Sequence, residues 1–208
     1  MSYNGYRSRG MDVVRYLIII NGIVFVFTFL IELINPFFYD NTLLPLIALV
    51  PSTILTHPWT LFTSMFVHDV YNYNITHILF NMLALYFFGE FLSNIIGEKK
   101  FLYLYFIGGV TGGLFYILFA YTLVPSMLRA AVVGASGAVY AVGGALAVMR
   151  PNARVMIFPF PVPIPLWLAI LIGLLVIAPG VAWQAHLGGV LTGLVMGFIF
   201  RKQGRRYY

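Results

Sequence analysis

V-V-R-Y-L-I-I-I-N-G-I-V-F-V-F-T-F-L-I-E-L-I, residues 13–34, is a mainly apolar run whose polar residues include Arg15 near its start, Asn21 and Thr28 within and Glu32 near its end. A stretch of about 20 mainly apolar residues is long enough to cross the hydrocarbon core of a bilayer as a helix. The rest of the chain has the same character. Of 208 residues, 61% are hydrophobic and 9% are charged, against roughly a quarter charged in soluble globular domains. The composition is that of a membrane protein. The 12 basic residues giving a net charge of +6 are scattered between apolar runs rather than gathered into a stripe, which excludes a nucleic-acid partner and makes the lipid bilayer the chain's surroundings. Cysteine is absent, so disulfide frameworks, thiolate metal sites and cysteine nucleophiles are excluded.

Working outward, six stretches qualify as spans or come close: about 13–34, 76–96, 101–123, 130–149, 162–178 and 183–200. Residues 35–75 carry an apolar run broken by Pro45 and Pro51 and are expected to form a loop in the membrane interface. Placing the N-terminus in the cytoplasm puts Arg7, Arg9, Arg15, Lys99, Lys100, Arg150, Arg154, Arg201, Lys202, Arg205 and Arg206 inside and leaves Arg129 alone outside, so the distribution of basic residues sets both termini on the cytoplasmic face. The first run is longer than a signal-peptide core and is followed by no small-residue cleavage pattern, which predicts a retained anchor. The expected fold class is all-α and polytopic, a bundle of six transmembrane helices forming a single membrane domain over 1–208.

In that topology the second, fourth and sixth helices all run from outside to inside. His77 and Asn81, Ser136, and His186 then share a depth near the outer ends of their spans. Polar groups at membrane depth are costly unless they pair or face water, which makes them site candidates. Ser136, Tyr140 and Gly143 fall on one face of the fourth helix, and His186, Gly189 and Gly193 on one face of the sixth. Glycines there permit close approach of two backbones. A serine needs a base to become a nucleophile, and a histidine across such a contact is one. A helix starting beside Ser136 would add unpaired backbone N–H groups and a positive dipole end. His77 and Asn81 could complete an oxyanion hole if their face meets Ser136. Each residue also has a packing reading: glycine and serine as helix contacts, a histidine or asparagine as interhelical hydrogen-bonding groups, Tyr140 as a core aromatic. The shared depth across three helices is what those readings do not predict.

Four motifs carry a resemblance to a known family: W-T-L-F-T-S-M-F-V-H at 59–68, H-I-L-F-N at 77–81, G-A-S-G at 134–137 and A-H-L-G-G-V-L-T-G at 185–193. Together they resemble the rhomboid intramembrane serine proteases over nearly the whole chain. The resemblance implies a six-helix core and a catalytic Ser136–His186 dyad. It also implies an oxyanion hole of His77, Asn81 and the Ser136 backbone N–H, with Tyr140 packed against the His186 ring and Gly134, Gly137, Gly189 and Gly193 in support. The sequence departs from the family at Trp59-Thr60, where members commonly have Trp-Arg, and at Ser93, where many carry a glutamate and Glu90 stands one turn earlier. An extended loop through D-V-Y-N-Y-N leaves His68 without a role.

The expected reaction is hydrolysis of peptide bonds in or near the transmembrane segments of protein substrates, near the outer surface, with no cofactor and no metal. Glu32 is the nearest acidic candidate for a third member, and reads as a side chain reaching the headgroups. Other intramembrane protease chemistries fail on inventory: there is no H-E-x-x-H motif, Asp12, Asp40 and Asp69 lie outside helix interiors, and Ala138 breaks the G-x-S-x-G elbow. The alternatives are a proteolytically inactive rhomboid-like protein that binds membrane clients, and a small transporter, for which paired halves with broken helices are lacking. The expected location is the plasma or cell inner membrane with the site opening away from the cytoplasm; substrate identity and oligomeric state are not legible.

Overall fold

The computed structural model describes residues 11–71, 75–157, 160–177 and 182–204. Six main helices order the chain: α1 (Met11–Ile34), α2 (Thr76–Ile96), α3 (Glu98–Thr122), α4 (Ser136–Met149), α5 (Leu166–Ile172, continued by a π turn to Ile177) and α6 (Trp183–Gly204). Among the described residues, α1, α2, α3 and α6 are long and apolar enough to cross a membrane, while α4 and α5 are apolar but shorter. The chain is a polytopic membrane protein, mostly helical.

Two elements differ from the sequence expectation. The fourth helix begins at Ser136 rather than near 130, because Gly134 adopts a φ of +123° that no right-handed helix accommodates. The segment before it is extended: Val132 and Leu49 exchange backbone hydrogen bonds of 2.8 and 3.1 Å, and the Gly134 N–H donates to the Ser64 carbonyl at 2.9 Å. The fifth helix begins at Leu166 rather than 162. Pro161, Pro163 and Pro165 lack N–H donors and bias the residues before them toward extended backbone. The result is a strand, β2 (Phe160–Pro165), paired antiparallel with β1 (Arg154–Ile157) in register Arg154↔Pro165. This two-stranded pair is an addition to an otherwise mostly helical chain. Alternating prolines suit it because their missing donors can face away from the single partner strand.

Between α1 and α2 the chain forms a series of short helical turns, Pro36–Phe38, Tyr39–Leu43, Leu44–Ile47, Pro51–Thr53 and Thr60–Thr63. It is pinned by Trp59 Nε1 donating to the Leu46 carbonyl at 2.8 Å and Thr63 Oγ1 donating to the Ile47 carbonyl at 2.8 Å.

The core is a seam of small residues. α4 lies at its centre, with Gly137, Ala138, Ala141, Gly144 and Ala145 all buried. A Cβ at Gly112 of α3 would stand 2.8 Å from the Ala185 carbonyl of α6 and 3.4 Å from Gly137 Cα of α4, so three backbones converge with no side chain between them. Close approach of this kind lets dispersion hold helices together where lipid supplies no hydrophobic drive. Thr111 and Thr192 add a 2.6 Å hydroxyl pair between α3 and α6. α1 sits at the periphery, with Ile23 and Phe27 more than half exposed. On its packed side, Asn21 Nδ2 donates to the Leu17 carbonyl and Thr28 Oγ1 to that of Val24, so both buried donors are satisfied within the helix.

Candidate active site

Ser136 is the first residue of α4, and the left-handed turn at Gly134 delivers the chain to it. Its own backbone N–H is one of the donors that a helix start leaves free. His186 lies in the first turn of α6 and is 5% exposed. The seam brings these two helix starts together: His186 Nε2 and Ser136 Oγ are 2.8 Å apart. One turn into α4, the Tyr140 ring stacks on the His186 imidazole with centroids 4.5 Å apart and 22° between planes, fixing the ring that faces the serine. His186 Nδ1 is buried without a hydrogen-bond partner among the described residues. Glu32 is therefore not placed as a third member.

His77 approaches from α2. A Cβ at Gly134 would lie 2.8 Å from His77 Nε2 and 3.8 Å from Ser136 Oγ, so the imidazole and the hydroxyl border one point and only glycine leaves it clear. His77 Nε2 is buried and unpartnered, while Nδ1 accepts the Asp69 backbone N–H at 3.4 Å. Asn81 is buried one turn on, and its described hydrogen bond runs from Nδ2 to the His77 carbonyl at 2.8 Å, within α2. The structure thus groups Ser136, His186, Tyr140, His77 and Gly134, and leaves the Asn81 amide engaged with its own helix.

The supporting glycines divide. Gly137, Gly189 and Gly193 lie in the α4–α6 seam: a Cβ at Gly189 would fall 2.9 Å from the Gly137 carbonyl carbon, and one at Gly193 at the same distance from that of Ala141. Gly143 lies elsewhere, facing Ile170 of α5. A small cavity beside Ser136 is lined by Leu49, Ser64, Met65, Gly109, Gly113 and Gly137, among others.

Sequence reasoning left His68 unassigned. It is fully buried, and its ring meets the His77 ring edge-on at 5.2 Å. Burial first, and the neighbouring His77 second, push its pKa down to about 3, against a smaller opposing pull from the Phe66 backbone. Among the described residues, no group of three His, Asp or Glu side chains is placed to hold a metal ion.

A polytopic helical protein with a serine and a histidine in contact where three helices converge defines a class. The family profile of the rhomboid domain matches residues 55–203, and the chain belongs to the rhomboid family. It is 32% identical over 137 residues to "Rhomboid protein 1, mitochondrial" of Saccharomyces cerevisiae, covering 61% of this chain and 38% of the relative. It is 29% identical over 151 residues to "Putative rhomboid protease YdcA" of Bacillus subtilis, covering 72% and 71%, and 32% identical over 138 residues to "Rhomboid protease GlpG" of Haemophilus influenzae, covering 65% and 68%. The chain spans little more than a third of the yeast relative's length.

Proposed function

We propose that this protein is an intramembrane serine endopeptidase whose whole chain, 1–208, forms one membrane domain of six spans. The observation that carries the reading is the 2.8 Å contact of Ser136 Oγ with His186 Nε2. In the mechanism, neutral His186 takes the Ser136 proton through Nε2 as the hydroxyl attacks the scissile carbonyl. The tetrahedral oxyanion forms beside Gly134, within reach of His77 Nε2–H and the Ser136 backbone N–H; Asn81 contributes its amide if that side chain turns from the His77 carbonyl. The imidazolium protonates the leaving amine, and water then hydrolyses the acyl-enzyme with His186 again as base. Substrates are transmembrane segments of other proteins, unwound locally near the outer surface.

The orientation is part of the proposal. Lys100 Nζ donates to Gln203 Oε1 at 3.1 Å and Arg201 to the Val148 carbonyl at 3.1 Å, which gathers the basic ends of α3, α4 and α6 at the end of the bundle opposite Ser136. Basic residues favour the cytoplasmic side, so the serine faces away from it. Arg7, Arg9, Arg205 and Arg206 lie outside the described residues. We place the protein in the plasma or cell inner membrane; the name of the yeast relative makes a mitochondrial membrane the other location to examine.

The test is paired. In detergent or liposomes, a fluorophosphonate probe should label the wild-type protein at Ser136, and a model transmembrane substrate should be cleaved. Ser136→Ala and His186→Ala should each abolish both, because the two groups act as one device. A folded wild-type protein that neither labels nor cleaves would overturn the protease reading.

A further inference from the structure

Behind His77 stands a chain of contacts that the proposed reaction does not use. The Tyr71 hydroxyl donates to an Asp40 carboxylate oxygen at 2.6 Å, a short charge-assisted bond. The Tyr71 backbone N–H donates to Asp69 Oδ1 at 3.0 Å, and the Asp69 backbone N–H donates to His77 Nδ1 at 3.4 Å. The Tyr39 ring, buried beside Asp40, meets the Tyr71 ring edge-on with centroids 5.9 Å apart. The helical turns that follow α1 are thereby linked, through one side chain and two backbone donors, to the ring that borders Ser136.

The last link decides a protonation state. A backbone N–H can only donate, so Nδ1 must present its lone pair, and the proton of the neutral ring is then on Nε2. Nε2 is the buried, unpartnered nitrogen beside Gly134. The other tautomer would turn a lone pair toward a developing oxyanion. At 3.4 Å the bond is long, so on its own it is a weak constraint, and its persistence depends on where Asp69 is held. His68 closes the opposite side of the ring through an edge contact and offers Nδ1 no described hydrogen bond.

We propose that Asp40, Tyr71 and Asp69 are positioning residues for His77, holding a backbone donor against Nδ1 so that Nε2–H is the group presented beside Ser136. The inference rests on the proposed protease reading for its kinetic consequence, but not for its structural one.

Two measurements test it. In the first, Tyr71→Phe, which removes only the hydroxyl, should lower kcat on a model transmembrane substrate by about tenfold per labelled Ser136, a fraction of the roughly 10²-fold attached to one oxyanion donor, with KM unchanged. Asp40→Asn keeps an acceptor for the hydroxyl and should retain most activity, whereas Asp40→Ala should match Tyr71→Phe. In a His77→Ala background, Tyr71→Phe should cost nothing further; additive losses there would assign Tyr71 a merely structural role and overturn the proposal. In the second, nitrogen NMR of protein labelled at histidine, with His77 assigned by its loss in His77→Ala, should show a single Nε2–H tautomer in the wild type and a mixture in Tyr71→Phe. An Nδ1–H tautomer in the wild type, or a spectrum indifferent to Tyr71→Phe, would overturn it as well. The spectrum does not depend on turnover, so a wild-type protein that fails to cleave would remove the protease reading while the brace is still judged by its tautomer.

Discussion

His68 is enclosed against the His77 ring with no described hydrogen bond to either of its nitrogens. Its pKa of about 3 in the fold lies below the ordinary imidazole value of 6.5, so the unfolded chain binds a proton at this position that the fold does not. The stability contributed by keeping His68 neutral is therefore fully present above pH 6.5 and is lost as pH falls from there toward about 3. We expect the Tm of the detergent-solubilised protein to be flat near pH 7 to 8 and to drop between about pH 6 and 4. His68→Gln should flatten part of that drop, and an unchanged slope would show that His68 is not the titrating group. The role of His68 is not legible in the sequence, because its contact with the His77 ring joins a loop to the start of α2, which no periodicity encodes. Ser136 and His186 were legible as a pair for the opposite reason: each sits near the start of an apolar run, and parallel helices carry such positions to one depth.

At the scale of elements, the α4–α6 contact is made by backbone. Gly137, Ala141 and Gly144 of α4 meet α6, whereas Ser136, Tyr140 and Gly143 occupy a face turned about 100° away, given 100° per residue. The sequence reading put Gly143 with the catalytic face, and by helical geometry it does share that face. What the reading lacked is that the His186 side chain reaches round from the seam to Ser136, so that the face carrying the serine is not the face carrying the contact. We expect Gly189→Val to cost on the order of 10²-fold in turnover, since its side chain would meet the Gly137 carbonyl and separate the helices by about an ångström. Gly143→Ala should be tolerated, because the atoms it meets belong to the flexible end of Ile170 at 3.3 Å. Equal losses in the two variants would show that the seam does not set the dyad distance. The sequence places the starts of α4 and α5 too early for a related reason: hydropathy measures oiliness, and the apolar residues before α4 are irregular backbone with one bridge at Val132, while Val162 to Pro165 belong to a strand.

For the whole molecule, the orientation invites a direct measurement, because the chain contains no cysteine and any introduced thiol is unique. Single cysteines at Asn152, between α4 and β1, and at Leu123, after α3, should react from opposite sides of a sealed vesicle: Asn152→Cys from the cytoplasmic side, Leu123→Cys from the other. The reverse pattern would invert the topology, and labelling of both from one side would remove a span between them. The distribution of basic residues is the sequence's argument for this orientation, and the labelling pattern is its test. The span count is less legible, since α4 and α5 fall short of a full crossing. The shortness of α4 has a consequence of its own. At about 1.5 Å per residue, its 14 residues make a post about 21 Å tall in a hydrocarbon layer about 30 Å thick. In the proposed orientation, with Met149 set level with the inner boundary, the top of that post would stand about 9 Å beneath the outer one, a few layers of water down. On the proposed protease reading, the length of one helix would act as a ruler that sets how far a column of water must descend before it can hydrolyse anything.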